Sequence, residues 1–254
     1  MKQVSIVYPA IFRVNSLKVA VPEKWEELSP AQYLAVTRYF LGDMAELDFF
    51  RSLIPIPKRI LLKMDDFHVH KLADLLDFLN AESELRLDHF ILPLIKCHRE
   101  TLYAPSKRLS DVSLQQFMSI DTYYGYYAIT QKEQFLVQMV AAAYLPKGQS
   151  FIGEHVVDMP ANILQVTHLP TYYLYAVFQN WTFIKSWLGK VYPYLFPPGH
   201  STDQDDKRKP QPPDWLTLFD TFVGEHVADM PAYQAMPCMD AFRIINRKIK
   251  EASR

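Results

Sequence analysis

The sequence predicts a mainly α-helical protein with a small N-terminal β ribbon and a short β hairpin near residues 91–104. Three observations favour this fold class. Helix start signals recur along the chain, apolar residues return at helical spacing over long stretches, and many of the 18 prolines stand where helices would begin or stop. With 254 residues, 49% of them hydrophobic, the chain can bury the core of one large domain or two small ones.

Two short strands are predicted at the N-terminus. Val4, Ile6 and Tyr8 alternate with polar or smaller side chains, and residues 17–21 show the same alternation before a proline. A period of two places the apolar side chains on one face of a strand. We expect the two runs to pair as a β ribbon.

Three sequences with the form of a capping box mark the starts of predicted helices. They lie at residues 29–32, 113–116 and 130–133, and each places Ser or Thr three residues before Gln or Glu. In such a box the two side chains satisfy free backbone N–H groups at the helix start. Apolar spacing predicts a further helix near 65–80, and a hairpin-like stretch is expected at 91–104.

The second half of the chain is also predicted to be helical. A long helix is expected after Pro170, because apolar residues keep helical spacing over 174–188, and it ends before Pro193. Asp214 is a suitable N-cap for a short helix. A last helix is expected over about 238–252, because its acidic residue comes early and its basic residues come late, as the helix dipole favours.

Residues 199–213 form the one predicted linker, because they are polar, proline-rich and without apolar periodicity. This linker separates an N-terminal ribbon plus helical main domain, 1–198, from a C-terminal helical segment, 214–254. Aromatic rings and positive charges on the helices of that segment are candidates for binding a partner protein. These candidates are Trp215, Phe219, Phe222, Arg243, Arg247 and Lys248.

Composition and charge exclude several classes of function. The glycines are scattered, and no pair has the spacing of a phosphate-binding loop or a dinucleotide fingerprint, so neither a P-loop NTPase nor a Rossmann enzyme is expected. The net charge of −1 argues against binding nucleic acid by bulk charge. No apolar run is long enough for a transmembrane helix, and the N-terminus is a poor signal peptide. We therefore expect no membrane partner and a cytoplasmic location.

Candidate catalytic chemistry is sparse. The His-Val-His run at 68–70 is followed by leucines that favour a helix, on which the two imidazoles point apart. The tyrosine-rich run 121–127 suits an aromatic helical core better than a stacking platform for bases or sugars. Cys97 and Cys238 are expected as free thiols, although a disulfide between them stays open. Because no catalytic motif is present, we expect neither an enzyme nor a bound cofactor.

The most informative feature is an internal repeat. Residues 151–161 and 222–232 are identical at nine of eleven positions. Each copy ends in Asp-Met-Pro-Ala, and Asp is a common turn or cap residue, which favours a structural role. Two alternatives stay open: a duplicated docking element for a partner, and a metal site, because carboxylates and imidazoles bind metals. The candidate metal ligands are Glu154, His155, Asp158, Glu225, His226 and Asp229.

Three stretches together resemble one group of proteins. They are Trp-Glu-Glu-Leu-Ser-Pro-Ala-Gln at 25–32, Phe-Met-Ser-Ile-Asp-Thr-Tyr at 117–123 with the helix that follows at 136–146, and Met-Pro plus a helix at 230–248. They are similar to small helical proteins encoded in the tail-gene modules of tailed phages and prophages. Some of those proteins act as tail-assembly chaperones.

The resemblance implies a helical, non-enzymatic interaction protein. Its partners would be other phage tail or assembly proteins, and its location would be the host cytoplasm or the virion. A mobile arm formed by the segment after the predicted linker would suit a chaperone. Two alternatives stay open: a structural tail or connector component of the virion, and a metal-dependent enzyme that uses the repeated element.

Overall fold

The computed structural model of the protein describes residues 1–10, 13–62, 64, 66–80, 87–197, 214–224 and 227–253. Within these ranges the fold is mainly α-helical, with a two-stranded N-terminal ribbon and a second sheet of three strands, which confirms the predicted fold class. The chain divides into two compact units, Met1–Leu85 (unit 1) and Arg86–Arg254 (unit 2). No helix in the described ranges is long and apolar enough to cross a bilayer.

The boundary between the units differs from the one that the sequence suggested. The units divide between Leu85 and Arg86, in a stretch without proline or glycine, and 214–254 belongs to unit 2. The physical reason is packing, because aromatic side chains of 214–254 complete the core of unit 2. The predicted linker 199–213 lies outside the described residues and stays a prediction.

The predicted N-terminal ribbon is confirmed. In unit 1, β1 (Lys2–Ala10) pairs antiparallel with β2 (Arg13–Val21), and Val4 lies opposite Val19. This register places even-numbered side chains of β1 and odd-numbered side chains of β2 on one face. Val19 is 4% exposed and Val21 is 1% exposed, so this apolar face is buried.

The first helix begins at its predicted capping box. Ser29 Oγ accepts from the backbone N–H of Gln32 at 3.3 Å, and Gln32 Oε1 accepts from the backbone N–H of Ser29 at 2.9 Å. The helix α1 (Pro30–Phe40) follows, with proline at its first position. Its residue Tyr33 is fully buried and meets the ring of Trp25 edge-on.

Three shorter helices complete the described part of unit 1. They are α2 (Glu46–Leu53), α3 (Lys58–Leu61) and α4 (Asp66–Asp74). The predicted helix near 65–80 is confirmed in its first half, since α4 ends at Asp74 and a separate 3-10 helix covers Asp77–Leu79. The helix is therefore interrupted between Asp74 and Asp77, inside the predicted range.

Unit 2 contains the predicted hairpin. Strand β3 (Leu94–Lys96) pairs antiparallel with β4 (Thr101–Tyr103), which confirms the expectation for 91–104. A two-residue strand, β5 (Leu145–Pro146), adds to β4. The hydroxyl of the fully buried Tyr144 donates to the carbonyl oxygen of Leu92 at 2.8 Å and fixes this sheet to the helices.

Seven helices form the remainder of the described core of unit 2. They are α5 (Leu114–Thr130), α6 (Glu133–Ala143), α7 (Met159–Thr167), α8 (Thr171–Val191), α9 (Trp215–Val223), α10 (Met230–Ala235) and α11 (Cys238–Ala252). Helix α6 packs against α5, α7 and α8, while α10 and α11 pack on α5. The predicted helices after Pro170, after Asp214 and over 238–252 are all confirmed.

The other two predicted capping boxes form only in part or not at all. Ser113 Oγ accepts from the backbone N–H of Gln116 at 3.2 Å, but the Gln116 side chain donates to the carbonyl oxygen of Ala142 instead. The prediction of a box at Thr130 is wrong. Thr130 ends α5 and its hydroxyl donates to the carbonyl oxygen of Tyr126, so α6 begins without a side-chain cap.

Candidate functional site

A buried carboxylate on α5 joins three helices of unit 2. Asp121 is 1% exposed, and its Oδ1 lies 2.8 Å from Lys185 Nζ. The indole Nε1 of Trp181 donates to Oδ1 at 3.2 Å, and the indole Nε1 of Trp215 donates to Oδ2 at 2.9 Å. Because Trp181 and Lys185 lie on α8 and Trp215 begins α9, one carboxylate connects α5, α8 and α9.

This arrangement compensates the cost of burying a charge. An isolated carboxylate in a protein interior is strongly destabilising, whereas a paired and hydrogen-bonded one is tolerated. Trp181 and Lys185 are four residues apart, so they project from one face of α8 toward Asp121. Both carboxylate oxygens accept from donors within the chain, so Asp121 holds the three helices together.

Aromatic side chains surround this carboxylate. The ring of Phe117 lies 5.3 Å from Trp215, 5.3 Å from Trp181 and 4.6 Å from Phe242, measured between centroids. Phe117 and Phe242 are fully buried. Helices α5, α8, α9 and α11 therefore share one aromatic cluster, and residues from both sides of the predicted linker contribute to it.

The aromatic candidates for partner binding are internal. Trp215, Phe219 and Phe222 are 7%, 3% and 7% exposed, respectively. The expectation that these rings face a partner is therefore corrected, because each ring is already buried against its own chain. The three rings lie on one face of α9, and this face completes the core of unit 2.

The basic candidates are exposed on α11. Arg243 lies 3.4 Å from Asp240, and Arg247 lies 4.0 Å from Glu251, each one helical turn away. Lys248 Nζ stands 5.2 Å from the centroid of the Phe222 ring. These side chains remain available to a partner, and their role in binding stays a prediction.

A large open cavity lies beside the buried carboxylate. It has a volume of about 880 Å³ and is bounded by α8, the turn after it and the start of α9. Its lining combines the apolar side chains of Phe196, Trp215 and Leu218 with the amines of Lys185 and Lys190. Lys185 is already paired with Asp121, so its amine is held at the wall of the cavity.

A second concave surface, named here the α5–α9 groove, lies on the other side of α9. Met118, Ser119, Thr122, Tyr123 and Tyr126 line it with the helical spacing of a single face of α5. Trp215, Leu216 and Gln234 complete it, and its volume is about 540 Å³.

The α5–α9 groove is partly apolar and nearly free of charge. Leu216 is 72% exposed and Tyr126 is 39% exposed, while the ring of Tyr126 stacks on Phe135 at 5.0 Å. Asp214 is the single charged side chain among the described residues that line it. The groove therefore offers methionine, tyrosine and leucine side chains together with hydroxyl and amide groups.

The tyrosine-rich run divides between core and surface. Tyr127 is 2% exposed, and its hydroxyl donates to that of Tyr175 at 2.7 Å. Tyr124 stacks on Phe178 at 4.9 Å. The predicted aromatic core is therefore present, whereas Tyr123 and Tyr126 face the α5–α9 groove.

The internal repeat has a structural role in its second half. In both copies Met-Pro-Ala begins a helix, α7 or α10, and a later proline, Pro170 or Pro237, precedes the next helix. Asp158 Oδ1 accepts from the backbone N–H of Ala161 at 3.2 Å, which confirms its role as a cap. Asp229 precedes α10 without such a bond.

The first half of the repeat differs between the copies. Residues 222–223 end α9, whereas residues 151–152 lie in an irregular loop. Gly153 and Gly224 both have positive φ, 125° and 58°, which explains glycine at this position of each copy. The shared sequence therefore adopts two local structures.

The structure describes four of the six proposed metal ligands. Glu154 and His155 are exposed in the loop and Asp158 is used as a cap, while Glu225 and His226 lie outside the described residues. Among the residues that the structure describes, no group of three or more His, Cys, Asp or Glu side chains could hold a metal ion. His70 is exposed on α4, and the side chain of His68 is outside the description.

Both cysteines are free thiols, as expected. Burial raises the pKa of the Cys238 thiol to about 12. Burial, and secondarily the charge of Glu100, raises the pKa of Cys97. Because the thiolate is the reactive form, both thiols are poor nucleophiles near neutral pH.

Neither the Asp121–Lys185 pair nor the two concave surfaces were predicted from the sequence. One signal was present, since Asp121 interrupts an apolar face of α5 and Lys185 follows Trp181 by four residues on α8. The partners of Asp121, however, are 60 and more residues away in the sequence, and local spacing cannot predict such contacts. In the comparisons with known proteins, no family model, curated protein or solved structure matches this chain.

Proposed function

We propose that this chain is a non-enzymatic protein–protein interaction factor in phage or prophage tail assembly, with a chaperone-like action on other tail or assembly proteins. The observation that carries this proposal is the α5–α9 groove. Methionine and aromatic residues are enriched in the cores of protein interfaces, where charged residues are depleted. The lining of the groove includes Met118 and three aromatic residues, Tyr123, Tyr126 and Trp215, and a single charged residue among those described.

The groove coincides with a stretch that carries the family resemblance. Residues 117–123 contribute Met118, Ser119, Thr122 and Tyr123 to its lining. Gln234 comes from the third resembling stretch, 230–248. The stretches that resemble tail-module proteins thus contribute five of the ten described residues that line the α5–α9 groove.

The chemistry of the groove specifies the partner. A partly apolar face whose described lining carries one charge, that of Asp214, offers little to a strongly charged segment, because most charged side chains buried there would lack a partner. We therefore propose that the groove covers an apolar, uncharged segment of a tail protein before that protein assembles. Exposed apolar surface of this kind is typical of sites that bind proteins.

Co-expression with candidate tail proteins, including a tape-measure protein, tests the proposal. We expect the chain to increase the soluble yield of one of them and to elute with it from size-exclusion chromatography. The variant Leu216→Glu/Tyr126→Glu places two charges in the groove and should abolish both effects. The control is Leu164→Glu, which places the same kind of charge at a leucine of α7 that is 60% exposed and lies outside the groove; it should abolish neither.

Other outcomes favour the alternatives. Full activity of the groove variant would contradict the role of the groove. Stoichiometric presence of the chain in purified particles would favour a structural virion component. Bound metal that is lost in the variant His155→Ala/His226→Ala would favour a metal-dependent enzyme.

A further inference from the structure

A small cavity in unit 1 combines aromatic walls with negative charge. It lies between α1, α2 and the 3-10 helix Asp77–Leu79, and its volume is about 260 Å³. Typical pockets for whole small molecules measure about 300–1,000 Å³. The volume of this cavity therefore suits a single side chain.

Four rings from α1 and α2 form a continuous wall. Tyr39 stacks on Phe49, with centroids 4.1 Å apart and ring planes 12° apart. Phe40 lies 6.1 Å from Tyr39, and Phe50 lies 5.8 Å from Phe49. Phe49 is 5% exposed and anchors the wall, whereas Phe40 is 52% exposed. An aromatic surface is thus held open to solvent.

Two carboxylates stand at this wall. Glu46 is the first residue of α2, Asp77 is the first residue of the 3-10 helix, and both side chains are exposed. Neither forms a salt bridge within the described part of the chain, and no Lys, Arg or His is among the described residues that line the cavity. Within the described part of the chain, the cavity therefore presents negative charge without a basic partner beside aromatic faces.

We infer that this cavity binds the guanidinium group of an arginine side chain from a partner protein. Aromatic faces attract cations, and arginine engages them more often than lysine. The planar guanidinium stacks on a ring while its N–H groups donate to carboxylates. An apolar occupant would instead cover Glu46 and Asp77 without giving them a partner.

This cavity is a different surface from the α5–α9 groove, for which we propose a role in tail assembly. The cavity lies in unit 1, and the α5–α9 groove lies in unit 2. Loss of binding at one of the two sites is therefore expected to leave binding at the other unchanged.

Titration of the full chain with side-chain analogues tests the inference. The probes are n-propylguanidinium, n-propylammonium and neutral n-propylurea, and the readout is the NMR shift of the methyl groups of Leu76 and Leu79, which line the cavity. We expect saturable shifts with n-propylguanidinium, at an affinity about threefold or more above that of n-propylammonium. With n-propylurea we expect no saturable shift.

Variants identify the groups responsible. Glu46→Gln/Asp77→Asn should weaken binding of n-propylguanidinium by about fivefold or more at low ionic strength. Phe40→Leu should weaken it as well, because it removes the exposed ring. Glu26→Gln, which changes an exposed acidic residue of unit 1 outside the cavity, should leave the affinity unchanged. Unfolding midpoints check that each variant is folded.

Four results would overturn the inference. They are shifts that do not saturate, saturable binding of n-propylurea, unchanged affinity in the Glu46→Gln/Asp77→Asn variant, and binding of n-propylammonium as tight as that of n-propylguanidinium. The last result would mean that the cavity selects a point charge rather than the guanidinium plane.

Discussion

The indole Nε1 of Trp215 donates to Asp121 Oδ2 at 2.9 Å, across 94 residues of sequence. Lys185 and Trp181 satisfy the other oxygen of the same carboxylate, so the first turn of α9 is fixed where α5 and α8 meet. The C-terminal segment is thereby part of the core of unit 2. A mobile arm would require this buried contact to break.

Replacing Trp215 by Phe tests the hydrogen bond while an aromatic ring is kept. We expect Trp215→Phe to lower the free energy of unfolding by about 1–3 kcal/mol, because the buried Asp121 loses one donor. The matched control is Trp187→Phe, since Trp187 is half-buried on α8 and its indole has no hydrogen bond among the described residues. Urea unfolding followed by circular dichroism measures both, and equal losses would show that only ring size matters.

Removing residues 214–254 tests the hypothesis of a detachable arm. The deletion takes away Trp215 and Phe242, whose rings contact the fully buried Phe117. Because a large aromatic surface is then left without a covering, we expect unit 2 to lose cooperative thermal unfolding. Calorimetry and hydrogen exchange of α5 amides measure this loss. Deleting Ser253 and Arg254 alone is the control, and cooperative unfolding of the larger deletion would support the arm.

Local signals explain which elements were predictable. The starts of α1, α5 and α9 depend on a side chain and a backbone N–H three residues away, and Ser29, Ser113 and Asp214 make these bonds. The strands of the ribbon likewise follow from alternation along each strand, and the last helix follows from the order of its acidic and basic residues. Such features need no knowledge of the rest of the fold.

The remaining features depend on distant parts of the chain. The Gln116 side chain does not complete the predicted capping box, because its amide donates a hydrogen bond to the carbonyl oxygen of Ala142, 26 residues away. The face of α5 that lines the α5–α9 groove has the same helical periodicity as a buried face. Whether that face is exposed depends on where the other helices of unit 2 pack. Trp215 was expected at the surface because its partner Asp121 could not be identified from spacing.

A second partly buried carboxylate gives unit 2 a pH dependence. Asp88 lies 3.0 Å from His89 Nδ1, 3.6 Å from Lys107 Nζ and 3.3 Å from Arg108 Nε. Burial raises the pKa of Asp88, but the hydrogen bond with His89 and the charges of Lys107 and Arg108 outweigh it, so its pKa is lowered. The unfolded chain binds this proton more tightly, at the ordinary Asp pKa of about 3.9.

The sign of the effect follows from linkage. The contribution of Asp88 to stability is complete above the unfolded pKa and is lost as pH falls through the lower, folded pKa. We expect Asp88→Asn to be less stable than the natural chain near pH 7, by about 0.5–1 kcal/mol, and to approach it in stability as the pH falls below the unfolded Asp pKa of about 3.9. Urea midpoints measured from pH 7 downward through and below that value test this, with the exposed Asp220→Asn as control. A constant difference across the range would contradict the prediction.

The end of α5 contains a residue in an unfavourable conformation. Gln131 has φ of 54° and ψ of 21°, the left-handed region in which a non-glycine residue costs about 1–2 kcal/mol. We expect Gln131→Gly to raise the free energy of unfolding by about 0.5–1 kcal/mol, because glycine removes this strain at a helix C-terminus. The adjacent Lys132, with φ of −82°, provides the control, since Lys132→Gly relieves no strain and should destabilise. Equal effects of the two changes in urea unfolding would show that the left-handed turn at Gln131 carries no such cost.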